Sequence, residues 1–278
     1  MTLLKDIHVI ALTTNVPGPA AAARLRDLGA TVTMVEPPSG NLLAHAAPGW
    51  YVELTRDMTV LNLDLKDAGE MDRFLALAEE ADLLITSNRP SALERLGIGW
   101  TSLHHRFPRL CQIAIVGYPA PAQDKPGHDM TYLAHLGLLS PPEMPRTLVA
   151  DLAGAERAVS EALALLYARA TGQNAGIRYV ALSDAAEAFA APLQHGITRA
   201  GSYLGGGLPN YRMYPTASGY LAVAALEPHF FARLMDEAGL ATGSEDEMAA
   251  LFLQRSAEEW EAWASERDLP LAAVKTEP

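Results

Sequence analysis

Cysteine is nearly absent from this chain: Cys111 is the only one in 278 residues. A single thiol excludes an intrachain disulfide framework, a thiolate zinc site and a redox pair. It sits in Leu110-Cys111-Gln112-Ile113-Ala114-Ile115-Val116, which reads as a buried strand with the cysteine as a small core residue. Basic charge is also scarce. Lys and Arg number 21 against 33 Asp and Glu, for a net charge of -12. An acidic chain repels phosphate backbones, so nucleic acid is not an expected partner, and a polyanionic ligand would need a local basic patch. The opening Met1-Thr2-Leu3-Leu4-Lys5-Asp6 lacks a basic stretch followed by an apolar run, the pattern of a signal peptide. No uninterrupted apolar stretch is long enough to span a bilayer. A cytoplasmic protein without a membrane partner is expected.

Several nucleotide and nucleophile motifs are missing too. No G-x-G-x-x-G follows the first strand-like run, which leaves NAD without support. The triple glycine Gly205-Gly206-Gly207 precedes a strand rather than a helix and has no Gly-Lys-Ser/Thr after it, so it reads as a hinge rather than a phosphate cradle. There is no G-x-S-x-G elbow for serine hydrolysis. His104 and His105 lie on a polar helix, and His195 and His229 lack partners at ligand spacing, so no metal site is expected.

What is present is an alternation of strand and helix. Ile7 to Leu12 is a short apolar run of the kind buried on both faces in a parallel sheet. Thr31–Val35, Thr59–Leu63, Asp82–Thr86, the Cys111 segment and Tyr179–Leu182 extend the series. Helical stretches fall between them at Ala20–Leu28, Glu70–Glu80, Ala92–Leu96, Thr101–Phe107 and Asp151–Ala170. This order predicts an α/β fold with a doubly wound, mainly parallel sheet, whose ligands bind beyond the carboxyl ends of the strands. After about residue 205 two strands, Tyr211–Tyr214 and Tyr220–Ala224, are followed by acidic helices, the first opened by Glu227-Pro228. The expected division is a large Rossmann-like domain over 1–200 and a smaller α+β domain over 205–278.

Three residues stand out for chemistry, and each has a plain structural explanation. Asp151 occupies a position suited to a helix N-cap. It could also face a ligand there, because a helix start offers unpaired N–H groups to a developing negative oxygen. His128 sits between Gly127 and Asp129 at a loop-to-helix junction, where a histidine is often structural. Glu227 reads as a first-turn acid that satisfies the helix dipole.

Taken together, the stretches around these residues resemble the family III CoA-transferase (CaiB/BaiF) superfamily, and within it most closely the α-methylacyl-CoA racemases. The resemblance covers nearly the whole chain. It is carried, in order, by Asn15-Val16-Pro17-Gly18-Pro19 with Arg26-Asp27-Leu28-Gly29-Ala30, by Leu63-Asp64-Leu65-Lys66, and by Asn88-Arg89-Pro90 with Leu96-Gly97. Gly127-His128-Asp129-Met130-Thr131-Tyr132, Val149-Ala150-Asp151 and Ala225-Leu226-Glu227-Pro228-His229-Phe230 complete it.

The resemblance implies proton transfer at the α-carbon of a 2-substituted (2-methyl) acyl-CoA thioester. His128 and Asp151 would act from opposite faces, and Glu227 would orient or charge-balance His128. Arg56, Leu63, Asp64, Leu65, Lys66, Asn88, Arg89, Gly127, Asp129, Met130, Thr131 and Tyr132 are the implied substrate and CoA contacts. Coenzyme A would enter as part of the substrate, with no prosthetic group; a carrier-protein thioester is the other possible substrate form. The alternative within the superfamily is CoA transfer with Asp151 as nucleophile through a mixed anhydride. A third reading, from another class, is a CoA-binding homologue without catalysis. An intertwined homodimer is implied, with Glu227 reaching the site from the partner.

The chain departs from the family pattern at several points. Pro37 and Pro38 stand where an Arg is usual, Arg56-Asp57-Met58-Thr59 replaces a basic run, and Ser91 replaces a Gly. Gly117-Tyr118-Pro119-Ala120-Pro121-Ala122 replaces a G-F-G-Q-x-G loop. Family members also continue past the point of Lys275-Thr276-Glu277-Pro278, so the dimer interlock is expected to be incomplete.

Overall fold

The computed structural model describes residues 2–276, which leaves Met1, Glu277 and Pro278 outside it. The chain forms two compact units, Met1–Ala190 and Ala191–Pro278.

The first unit runs β1 (His8–Leu12), α1 (Pro17–Asp27), β2 (Thr31–Glu36), α2 (Leu42–Ala46), α3 (Pro48–Thr55), β3 (Thr59–Asn62) and α4 (Ala68–Glu80). It continues with β4 (Leu83–Thr86), α5 (Pro90–Arg95), α6 (Trp100–Arg106), β5 (Cys111–Val116), α7 (Asp129–Leu136), α8 (Val149–Ala170), β6 (Ile177–Ala181) and α9 (Leu182–Gln194), whose residues 191–194 fall in the second unit. The six strands form one sheet in the order β3-β2-β1-β4-β5-β6, and every neighbouring pair is parallel. The expected doubly wound α/β sheet is therefore present.

Helices cover both faces, and side-chain alternation sorts the core into two layers. Val9, Ala11, Leu83, Ile85, Cys111, Ile113 and Ile115 face one layer with Leu25 of α1, Leu133 of α7 and Ala158 of α8. Ile10, Leu12 and Leu84 face the other with Phe74 of α4, Leu93 of α5 and Leu103 of α6. Cys111 is fully buried, as its apolar setting predicts.

The structure corrects several boundaries. The helix expected from Ala20 begins earlier: α1 starts at Pro17, whose missing N–H suits the first helical position. The strand expected over Tyr179–Leu182 ends at Ala181, and Leu182 opens α9. Asp151 is not a helix N-cap. Leu148 holds that position without a side-chain bond, and Asp151 lies in the first turn of α8.

The second unit adds β7 (Tyr211–Pro215), β8 (Tyr220–Ala224), α10 (Pro228–Ala238), α11 (Glu245–Phe252), α12 (Ala257–Ser265) and β9 (Leu271–Ala273). Its sheet is antiparallel, in the order β7-β8-β9. Tyr214, Leu221, Val223, Phe252 and Trp260 form its core. Glycines 205 to 207 lie in a hydrogen-bonded turn, with Gly205 donating to Ser202 O at 3.0 Å and accepting from the Gly201 N–H at 2.9 Å.

Candidate active site

In a sheet of this order the chain reverses its direction of growth between β1 and β4, and the loops leaving those strands diverge there to open a crevice. Thr14 and Asn15 follow β1, and Ser87, Asn88 and Arg89 follow β4. Asn15 takes the left-handed conformation, φ 64°, which asparagine tolerates better than most residues. The two loops are tied together. The Thr14 N–H donates to Ser87 Oγ at 2.9 Å, and the Ser87 hydroxyl donates to Thr14 O at 3.3 Å. A third loop, from Gly117 at the end of β5 to Gly127, closes the crevice into a cavity of about 220 Å³. His128, Tyr132 and Asp151 line it.

His128 is held by the start of α7, where its extended backbone occupies the N-cap position. Its N–H donates to Thr131 Oγ1 at 3.0 Å, and the Thr131 hydroxyl donates back to His128 O at 2.7 Å. The loop is thereby fixed while the imidazole is left to the cavity.

Asp129 points the other way. It is 4% exposed, and its Oδ1 accepts from the N–H groups of Ala150 and Asp151 at 2.7 and 3.1 Å. It therefore caps α8 from another helix. The two N–H groups that the sequence suggested as donors for a ligand oxygen are already used. Its Oδ2 is buried without a hydrogen-bond partner. This charge bears on Asp151. Burial pushes the Asp151 carboxyl up to about 6, the Asp129 carboxylate adds to the rise, and His128 opposes it.

Tyr132 is 2% exposed and meets Tyr118 edge-on, with centroids 5.2 Å apart. Its phenol is pushed up to about 12, chiefly by burial, and so stays a hydrogen-bond donor at neutral pH. Both flanking glycines make room for it. A Cβ at Gly127 would stand 2.6 Å from Tyr132 Cε1, and one at Gly117 would stand 2.5 Å from the hydroxyl. Gly127→Ala is therefore expected to cost about 1–3 kcal/mol of stability by overpacking. A denaturant melt that matches the parent would show that the ring has space to move.

The cavity brings together Asn88, Arg89, Gly127, His128, Tyr132 and Asp151. Others of the sequence-based set lie elsewhere. Leu63 is a core residue, and Leu65 packs against the same core layer. Asp64 shapes a turn, its Oδ1 accepting the Lys66 N–H at 3.0 Å while its own N–H bonds the Glu70 carboxylate. Lys66, Met130 and Thr131 are exposed. Arg56 is exposed and pairs with Asp57 at 3.7 Å. Glu227 caps α10 in the second unit, with no side-chain cap bond of its own.

Sequence reasoning missed Thr14, Ser87, Gln123 and Lys125 on the cavity wall. Ser87 follows directly on a strand that was recognised, and Thr14 comes two residues after another, which is the signal that could have found them.

Comparison with known proteins agrees with this fold. The chain is 30% identical over 261 residues to human alpha-methylacyl-CoA racemase, covering 85% of this chain and 65% of that protein. It is also 30% identical over 202 residues to a probable fatty acyl-CoA transferase of Mycobacterium tuberculosis, covering 66% of this chain and 51% of that protein. These relatives are longer, and the match spans about half to two thirds of their length. A crystal structure of a hypothetical protein from M. tuberculosis superimposes with a TM-score of 0.84 at 25% identity, covering 99% of this chain and 84% of that one. The family model for CoA-transferase family III matches residues 4–277. The chain belongs to CoA-transferase family III.

Proposed function

We propose that this protein is a racemase or epimerase that moves a proton on and off the α-carbon of a 2-substituted acyl-CoA. The observation that carries this reading is the shared cavity of His128 and Asp151 at the carboxyl ends of the sheet. The α-proton beside a thioester is weakly acidic, so a base needs help from a donor at the developing enolate oxygen. An Asp151 carboxyl near 6 exchanges a proton readily at neutral pH. With the α8 N–H groups engaged by Asp129, the Tyr132 hydroxyl is the donor on this wall suited to the enolate oxygen. His128 serves the opposite face of the carbon, and a Glu227 from a second copy would orient it in a homodimer.

Transfer of CoA is the second reading, supported by the likeness to the mycobacterial transferase. There Asp151 attacks the thioester carbonyl, CoA leaves as the thiolate, and a mixed anhydride forms. Asp151 serves both reactions, whereas His128 is required by the first alone. Exchange of the α-proton of a 2-methylacyl-CoA is measured in heavy water. The racemase reading expects exchange in the parent and its loss in His128→Ala. Failure of the parent to exchange, with hydroxylamine trapping at Asp151 during transfer, would replace it with the second.

A further inference from the structure

We propose that Asp124 is a positioning residue: through its contact with Ser91 it holds the loop between Gly117 and Gly127 in place as a wall of the cavity, and so sets how tightly the site grips an acyl-CoA. The inference rests on the acyl-CoA reading of the cavity and adds a residue that acts on it from outside.

Packing does not fix this loop. None of residues 118–126 is buried, and a segment without buried apolar anchors opens at low cost. Its two ends are held. Gly117 O accepts the Ser183 N–H at 3.1 Å, and His128 is fixed by its exchange of bonds with Thr131. Between the ends, the Ala122 N–H donates to Pro119 O and the Lys125 N–H to Ala122 O, each at 2.9 Å. The Lys125 ammonium lies over the Tyr118 ring, 4.5 Å from its centroid. These three contacts shape the loop but join it only to itself. The Asp124 carboxylate reaches outward instead. Its Oδ1 accepts the Ser91 hydroxyl at 2.9 Å and the Ser91 N–H at 3.3 Å.

Ser91 stands in the first turn of α5, whose N-cap residue, Arg89, makes no side-chain cap bond. Asp124 supplies the missing acceptor from another segment, and a bond to a carboxylate is stronger than one between neutral groups. The neighbours of the pair show what the contact positions. Gln123 and Lys125, on either side of Asp124, line the cavity, and so do Asn88 and Arg89, which shortly precede Ser91. Asp124 and Ser91 themselves do not line it. The contact therefore joins two stretches of lining from behind. Because neither member faces the cavity, its loss can reach a ligand only through movement of the wall.

The test pairs a readout without ligand with one that needs it, both on the full chain. Hydrogen exchange at the amides of residues 122–125 is expected to speed up about 10-fold in Asp124→Ala, with the amides of β4 and β5 unchanged. Calorimetry with 2-methylbutanoyl-CoA should show binding weakened about 3- to 10-fold in the same variant, the low end for a hydrogen-bonded charge. Asp124→Asn keeps an acceptor oxygen and should restore most of both. Combining Ser91→Ala with Asp124→Ala should weaken binding no further than Asp124→Ala alone, because a single contact is lost in either case. Parent-like exchange in Asp124→Ala overturns the proposal whatever the affinity. Faster exchange with unchanged affinity also overturns it and leaves the acyl-CoA reading standing. A parent that binds no ester removes the acyl-CoA reading, and the proposal with it.

Discussion

Asp151→Asn is expected to cut turnover of an acyl-CoA substrate by about a thousandfold and, at pH 7, to make the protein more stable. The loss follows whether Asp151 is an acid/base or a nucleophile, because an amide can be neither. The gain in stability follows from its surroundings. Burial raises the carboxyl from its ordinary 3.8 to about 6, with the Asp129 charge adding to the effect. Between those two values the folded state holds more proton than the unfolded one, so stability falls as pH rises through that window. Above about pH 6 the cost of the buried charge is complete, and below about pH 4 it is gone. Asparagine carries no such cost. The variant should therefore be stabilised by about 1–2 kcal/mol at pH 7 and match the parent near pH 4. Denaturant melts at the two pH values check this, and equal stabilities at pH 7 would show that the carboxylate bears no burial cost.

Asp129→Ala is expected to destabilise the fold by about 2–3 kcal/mol. One carboxylate oxygen holds the N–H groups of Ala150 and Asp151, and alanine would leave both without an acceptor at a buried helix start. Asp129→Asn separates capping from charge. Its side-chain carbonyl can still accept both N–H groups, so the stability loss should be smaller. The charge is gone, however, and it is one cause of the raised Asp151 carboxyl. The acid limb of the rate profile should therefore shift to lower pH in Asp129→Asn. An unmoved limb would show that burial alone sets Asp151, and stability unaffected in Asp129→Ala would refute the cap.

Much of the first unit was legible because its strands carry an unmistakable local signal. Leu83–Thr86 and Cys111–Val116 are buried at every position, and continuous apolar runs of that kind mark a parallel sheet covered on both faces. Helices with one buried face, such as α4 with Phe74 and Ala78, were equally readable. The elements that escaped lack such signals. No residue of α3 is buried, so it has no apolar stripe to detect. α9 contains Pro192, which argues locally against a helix. β9 is only three residues long, too short for alternation to show. The acidic helices of the second unit were recognised; the third strand beside them was not.

His128 and Asp151 were identifiable from their local contexts and from the order of the motifs around them. That both line one cavity is decided by the strand order β3-β2-β1-β4-β5-β6, which opens a crevice where the chain reverses direction. The behaviour of Asp151 is likewise a tertiary matter. Its helix is capped by a residue 22 positions upstream, and the charge of that residue helps set its protonation. Short-range periodicity specifies which segments become strands and helices. Capping and electrostatic coupling between helices arise only when packing brings distant residues together, and here they place a second carboxylate, Asp129, behind Asp151.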